Sequence, residues 1–192
     1  MDIINSPEAD ASGWIFFLFQ QGNVLSPVWK SAYNRKVRLP DGRTVVVGSG
    51  RPHQKMERAF VTGPVDEAAA LIVREGEAAA FGEILNPASR FNFLDTYVFV
   101  LDADGHTLAD PAFPNMPGRD LSNMTDAIGR PYIRELLDEL VNTDSASTQF
   151  LWRENANELP QRKAIYARKA VAAGKTYIVV ADYLLPTPIW MK

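Results

Sequence analysis

The 192-residue chain contains no cysteine. That excludes disulfides, thiol nucleophiles and cysteine-ligated zinc. Only two histidines occur, His53 and His106. His106 follows a hairpin turn and His53 a strand exit, so neither is placed as a general base. The hydrolase, nucleotide-loop and zincin patterns G-x-S-x-G, G-x-x-x-x-G-K-[ST] and H-E-x-x-H are absent. No apolar run nears the roughly 18 residues that a membrane span needs, and the longest is the six-residue WIFFLF. The first twelve residues, MDIINSPEADAS, have neither the basic region nor the apolar core of a signal peptide. There is no excess of positive charge. The net charge is −3 and the isoelectric point about 5.4, which argues against nucleic acid as a partner.

An ordinary globular composition remains, 46% apolar and 22% charged. Within it a short pattern is written twice. VWKSAYNRK at 28–36 and QRKAIYARK at 161–169 share K-x-x-Y-x-R-K at an offset of 133. The match extends backwards through Phe17, Leu18 and Pro27 to Phe150, Leu151 and Pro160. After a one-residue slip in a turn it runs forwards, with Gly42, Thr44 and Val47 matching Gly174, Thr176 and Val179. Each copy reads as a three-stranded antiparallel meander, the first turning at Pro40-Asp41-Gly42.

Between the copies, residues 63–85 predict one helix. Pro64 suits its first turn, Asp66 and Glu67 suit its positive end, and Val65, Ala68, Ala69 and Ile72 form the apolar stripe. TYVFVLDADGHTLAD predicts a hairpin turning at Asp104-Gly105. Asp102, Asp104 and Gly105 echo a calcium loop, but its further oxygen position and distal glutamate are missing, so no metal is expected. A second helix near 129–142 carries Ile133, Leu136, Leu137 and Leu140. The order helix, two strands, long loop, helix, three strands predicts an α+β module with a five-stranded antiparallel sheet. The expected organisation is a flexible segment at 1–12, a half-module at 13–62, a full module at 63–186 and a tail at 187–192.

The ordered set TYVFVLDADGHTLADPAFPNMPGRDL, DAIGRPYIRELL, FLW, RKAIYARK and GKTYIVVADY resembles a Cache domain, over about residues 60–184. The single-Cache type is the nearest in pattern. These are PAS-like extracytoplasmic sensor modules of bacterial chemoreceptors and sensor kinases. The resemblance implies a PAS-like antiparallel sheet with a long N-terminal helix, a non-enzymatic role in ligand sensing and chemotaxis, a periplasmic location and no cofactor. One departure is Asp110-Pro111, where members often carry His-Pro.

In such a sheet one face packs on helices and the other cups a small molecule. Strand alternation puts Tyr97, Phe99 and Leu101 on one face and Val98 and Val100 on the other. Tyr97 and Phe99 are candidate pocket walls or plain core. Trp152 either packs or stacks on the ligand. Tyr166 and Arg168 share a face, Arg168 to grip a carboxylate and Tyr166 to donate a hydrogen bond. Lys163 has the opposite parity and is expected to close the loop. Asp110 and Asp182 either meet a ligand ammonium or cap turns, and with Arg168 they would suit a zwitterion. Pro111, Pro114 and Pro117 stiffen the following loop as a lid, with Phe113 and Met116 as roof contacts. The expected ligand is a small polar organic molecule: an organic acid, an amino acid or an amine. A different class of role also fits, an interaction module in which the half-repeat pairs sheet edges with a partner or a second copy. An enzyme on the same scaffold is the weakest reading, for want of a nucleophile and base.

Overall fold

The computed structural model describes residues 11–19, 28–52, 58–93, 96–153, 155 and 157–185. The expectations for His53, most of the N-terminal segment and the C-terminal tail lie outside these residues. The chain divides into two compact units, Met1–Lys55 and Met56–Lys192.

In the first unit, β1 (Ser12–Phe19), β2 (Val28–Arg38) and β3 (Thr44–Pro52) form an antiparallel sheet in that order. Gly42 turns the second hairpin at φ 86°, where a side chain would be strained, and its N–H donates to the Leu39 carbonyl. Trp14 lies opposite Tyr33, their rings 5.5 Å apart and edge-on. Trp14 is 59% exposed, and Tyr33 and Val47 are exposed as well.

The second unit opens with α1 (Arg58–Glu75) and α2 (Glu77–Ile84). Two helices thus replace the single one expected at 63–85. The break is at Gly76, whose φ of 85° lies in the left-handed region that ends helices. Pro64 is inside α1 rather than in its first turn, because the helix begins at Arg58. A ribbon of β4 (Asn92–Phe93) and β5 (Thr96–Tyr97) follows, so the strand expected from Thr96 is divided at Val98. Then come β6 (Phe99–Asp102), β7 (Thr107–Ala109), α3 (Tyr132–Asn142), β8 (Ser145–Trp152), β9 (Gln161–Ala172) and β10 (Lys175–Leu184).

These last five strands form an antiparallel sheet in the order β7-β6-β10-β9-β8. The turn between β6 and β7 is held by Asp102, whose Oδ1 accepts the N–H groups of Asp104 and His106 at 2.9 Å. Strand alternation separates two cores. One sheet face presents Val98, Val100, Tyr166, Tyr177 and Val179 to Val65, Ala68, Ala69 and Ile72 of α1. The other presents Phe99, Leu101, Ile165, Ile178 and Val180 to Ile133, Leu136, Leu137 and Leu140 of α3. Among the described residues no helix is long and apolar enough to cross a membrane.

Candidate functional site

The connection from Asp110 to Pro131 ties itself to both edges of the sheet. At the β7 edge, the Gly118 N–H donates to the Thr107 carbonyl and the Thr107 N–H to the Arg119 carbonyl, at 2.7 and 2.9 Å. The Thr107 hydroxyl adds a bond to the Met116 carbonyl and accepts the Arg119 N–H. At the β8 edge, the Ala127 N–H donates to the Leu151 carbonyl, and Asp126 Oδ2 accepts the Leu151 N–H. Since β7 and β8 are the outermost strands, the connection must cross the sheet. It roofs the face on which α3 packs only in part.

Under that roof is a cavity of about 300 Å³. Its apolar walls come from Phe99, Phe113, Leu121, Ile133 and Trp152. Its polar lining is Tyr97, Asp110, Arg119, Tyr132, Lys163 and Asp182. Lys163 Nζ is 2.8 Å from Asp182 Oδ1 and 5.4 Å from the centre of the Trp152 ring. The ammonium is thereby shared between a carboxylate and an aromatic face. The Asp182 carbonyl also accepts the Thr96 hydroxyl, which ties β10 to the β5 ribbon.

Arg119 has no such partner. Its guanidinium lies 5.1 Å over the Phe113 ring, and among the described residues it makes no ion pair. Tyr132 is only 4% exposed and stacks on Phe150 with ring centres 4.1 Å apart. Among the described residues, neither its hydroxyl nor that of Tyr97 has a side-chain hydrogen bond, yet no buried side-chain polar atom is left unsatisfied. Both hydroxyls therefore open onto the cavity. Burial, with the Asp182 carboxylate nearby, pushes both phenols well up, so they stay protonated donors. Arg119 opposes that rise in both, which places its positive charge in the same space.

Residues 65–184 match the family model for single Cache domain 2. The chain belongs to this Cache family. No curated protein matches it. Among solved structures, the Cache domain is similar to a methyl-accepting chemotaxis protein from Vibrio parahaemolyticus RIMD 2210633. That similarity has 20% identity, a TM-score of 0.50, and covers 66% of this chain and 87% of the other. A periplasmic sensor domain of a chemotaxis protein matches at 21% identity and a TM-score of 0.48, covering 67% and 89%. A Cache chemosensory domain that recognises carboxylic acids matches at 18% identity and a TM-score of 0.48, covering 65% and 86%. At these identities the likeness is one of fold.

The Cache sheet brings six of the nine expected site residues to the cavity: Tyr97, Phe99, Asp110, Trp152, Lys163 and Asp182. The other three it places elsewhere. Tyr166 is buried under α1, where its hydroxyl donates to Asp66 Oδ1 at 2.8 Å. Arg168 lies beside Asp66, Ala69 and Val73 on that same side. Alternation had rightly set Lys163 against Tyr166 and Arg168, but the faces are reversed. Small Ala68 and Ala69 of α1 leave room for the Tyr166 ring, and Asp66 meets its polar end. Met116 is exposed and lines a small recess with Leu85 and Pro117, which adjoins the cavity through Asp110 and Phe113.

Leu121, Met124, Tyr132 and Ile133 also line the cavity and were not expected to, and Arg119, the end of the expected roof at 110–119, lines it without having been named as a binding residue. Tyr132 carried a usable signal, since Tyr132, Leu136 and Leu140 recur every four residues on one helix face. Arg119 carried none, because it sits in a loop without periodicity.

Proposed function

We propose that this Cache domain is the periplasmic, non-enzymatic sensing module of a chemotaxis or signalling receptor, and that its cavity binds a small organic carboxylate. One observation carries the ligand class. Among the described residues, an arginine without a carboxylate partner shares a roofed cavity with two tyrosine hydroxyls that lack side-chain partners. A ligand carboxylate would take charge-assisted bonds from all three. The aromatic walls would shed water from the ligand's carbon skeleton.

A thermal-shift screen of the chain against short organic acids, amino acids and amines tests this reading. A ligand at a hundred times its Kd adds about 2.7 kcal/mol of stability. For a chain of this length the melting temperature should rise by about 5–10 °C. Carboxylate-bearing compounds are expected to give the shift and amines without a carboxylate are not. A screen in which only such amines respond would remove the reading.

The first unit supports a second role, self-association. Trp14, Tyr33 and Val47 stand exposed on one face of a three-stranded sheet, where alternation brings them together. Sedimentation velocity should then detect a dimer that a Trp14→Ser, Val47→Ser double variant abolishes. A wild-type chain that stays monomeric at the highest concentration it tolerates would rule it out.

A further inference from the structure

The cavity holds two acids in different circumstances. Asp182 is neutralised by Lys163 at 2.8 Å. Asp110 is not neutralised. It is 8% exposed, and its Oδ1 accepts the Ala112 N–H at 3.0 Å, with the Phe113 N–H also acting on the carboxylate, both from its own turn. Among the described residues no cation lies within ion-pair distance of it. Arg119, the unpaired cation of the same cavity, does not reach it, because its guanidinium is held over Phe113.

We propose that Asp110 binds a ligand ammonium, so that the cavity selects a zwitterion, an α-amino acid that gives its carboxylate to Arg119, over the matching simple carboxylate. The proposal rests on the carboxylate-binding reading above and narrows it. A buried carboxylate without a cation is costly, and the protein leaves this one facing the cavity. A simple carboxylate would satisfy Arg119 but add a second negative charge near an unpaired one. An ammonium on the neighbouring carbon removes that repulsion and supplies the missing partner. Burial pushes the Asp110 carboxyl up, against the hydrogen bonds of its turn and the more distant Arg119 charge.

The test is calorimetric titration of the whole chain with three matched pairs: L-alanine and propanoate, L-valine and 3-methylbutanoate, L-leucine and 4-methylpentanoate. At least one amino acid should bind ten times or more tightly than its carboxylate. Asp110→Asn and Asp110→Ser both keep an acceptor for the Ala112 N–H, and both should bring that pair to within threefold. Carboxylates that bind as well as the amino acids overturn the proposal and leave the carboxylate reading intact. A preference that survives in either variant also overturns it. If neither member of any pair binds, both readings fall.

Discussion

Arg119→Ala is expected to weaken binding of a carboxylate ligand by roughly thirtyfold while leaving the melting temperature of the free protein unchanged. The affinity loss follows from removing charge-assisted hydrogen bonds worth about 2 kcal/mol, at 1.4 kcal/mol per tenfold in Kd. The neutral effect on stability follows from the side chain's position. It is exposed, has no ion-pair partner among the described residues, and contributes to the fold through its backbone bonds to Thr107. Alanine keeps those bonds. Arg119→Lys should recover only part of the loss, since an ammonium cannot offer the paired donors of a guanidinium. Titration of the best ligand from the screen into all three proteins decides it. An Arg119→Ala protein that binds with unchanged affinity would place the carboxylate elsewhere.

Asp126→Ala should be the more damaging substitution for the fold. Asp126 is nearly buried, and one oxygen accepts the N–H groups of Ile128 and Arg130, both at 3.0 Å. The other accepts the Leu151 N–H at 3.2 Å and so fastens the roof to β8. Alanine leaves three donors without their acceptor. At about 1 kcal/mol or more each, the loss should reach about 3 kcal/mol, or a fall of roughly 6–12 °C in melting temperature. Burial raises the Asp126 carboxyl, but the hydrogen bonds from Arg130, Ile128 and Leu151 outweigh it and hold the group below the usual carboxylate range. The sign of the pH dependence follows. The contribution is complete above the unfolded-state value near 3.9 and is lost as pH falls through the lower folded value. The stability gap between wild type and variant should therefore be constant from pH 5 to 7 and shrink below about pH 4. Urea denaturation at pH 7 and pH 3 measures it. A gap that stayed the same at both values would mean that the ionised carboxylate is not the acceptor.

Local sequence determined most of the elements of this Cache domain. The Asp104-Gly105 turn, the Ile133, Leu136, Leu137 and Leu140 stripe and the two-residue alternation of β6, β9 and β10 are short-range patterns. They need no knowledge of the rest of the chain. Alternation also sorted Lys163 from Tyr166 and Arg168. It could not say which set meets a helix and which meets the cavity, because a period of two looks the same from either side of a sheet. That choice was made by packing, with Tyr166 against α1 and its hydroxyl on Asp66. Helix ends were likewise settled beyond the local signals. Pro64 suggested a start, yet α1 begins earlier, and Gly76 divides what the apolar stripe reads as one helix.

The candidate site divides in the same way. Tyr97, Phe99 and Lys163 were legible because strands order them. Arg119 was not, because it enters the cavity through a loop whose course depends on hydrogen bonds to Thr107 at one sheet edge and to Leu151 at the other. Those two strands are adjacent to nothing in common along the chain. They bound one surface only after the sheet has assembled in the order β7-β6-β10-β9-β8. The residue types for recognising a charged ligand are in the sequence. Their convergence on one cavity is a property of the strand order, which non-local pairing alone creates.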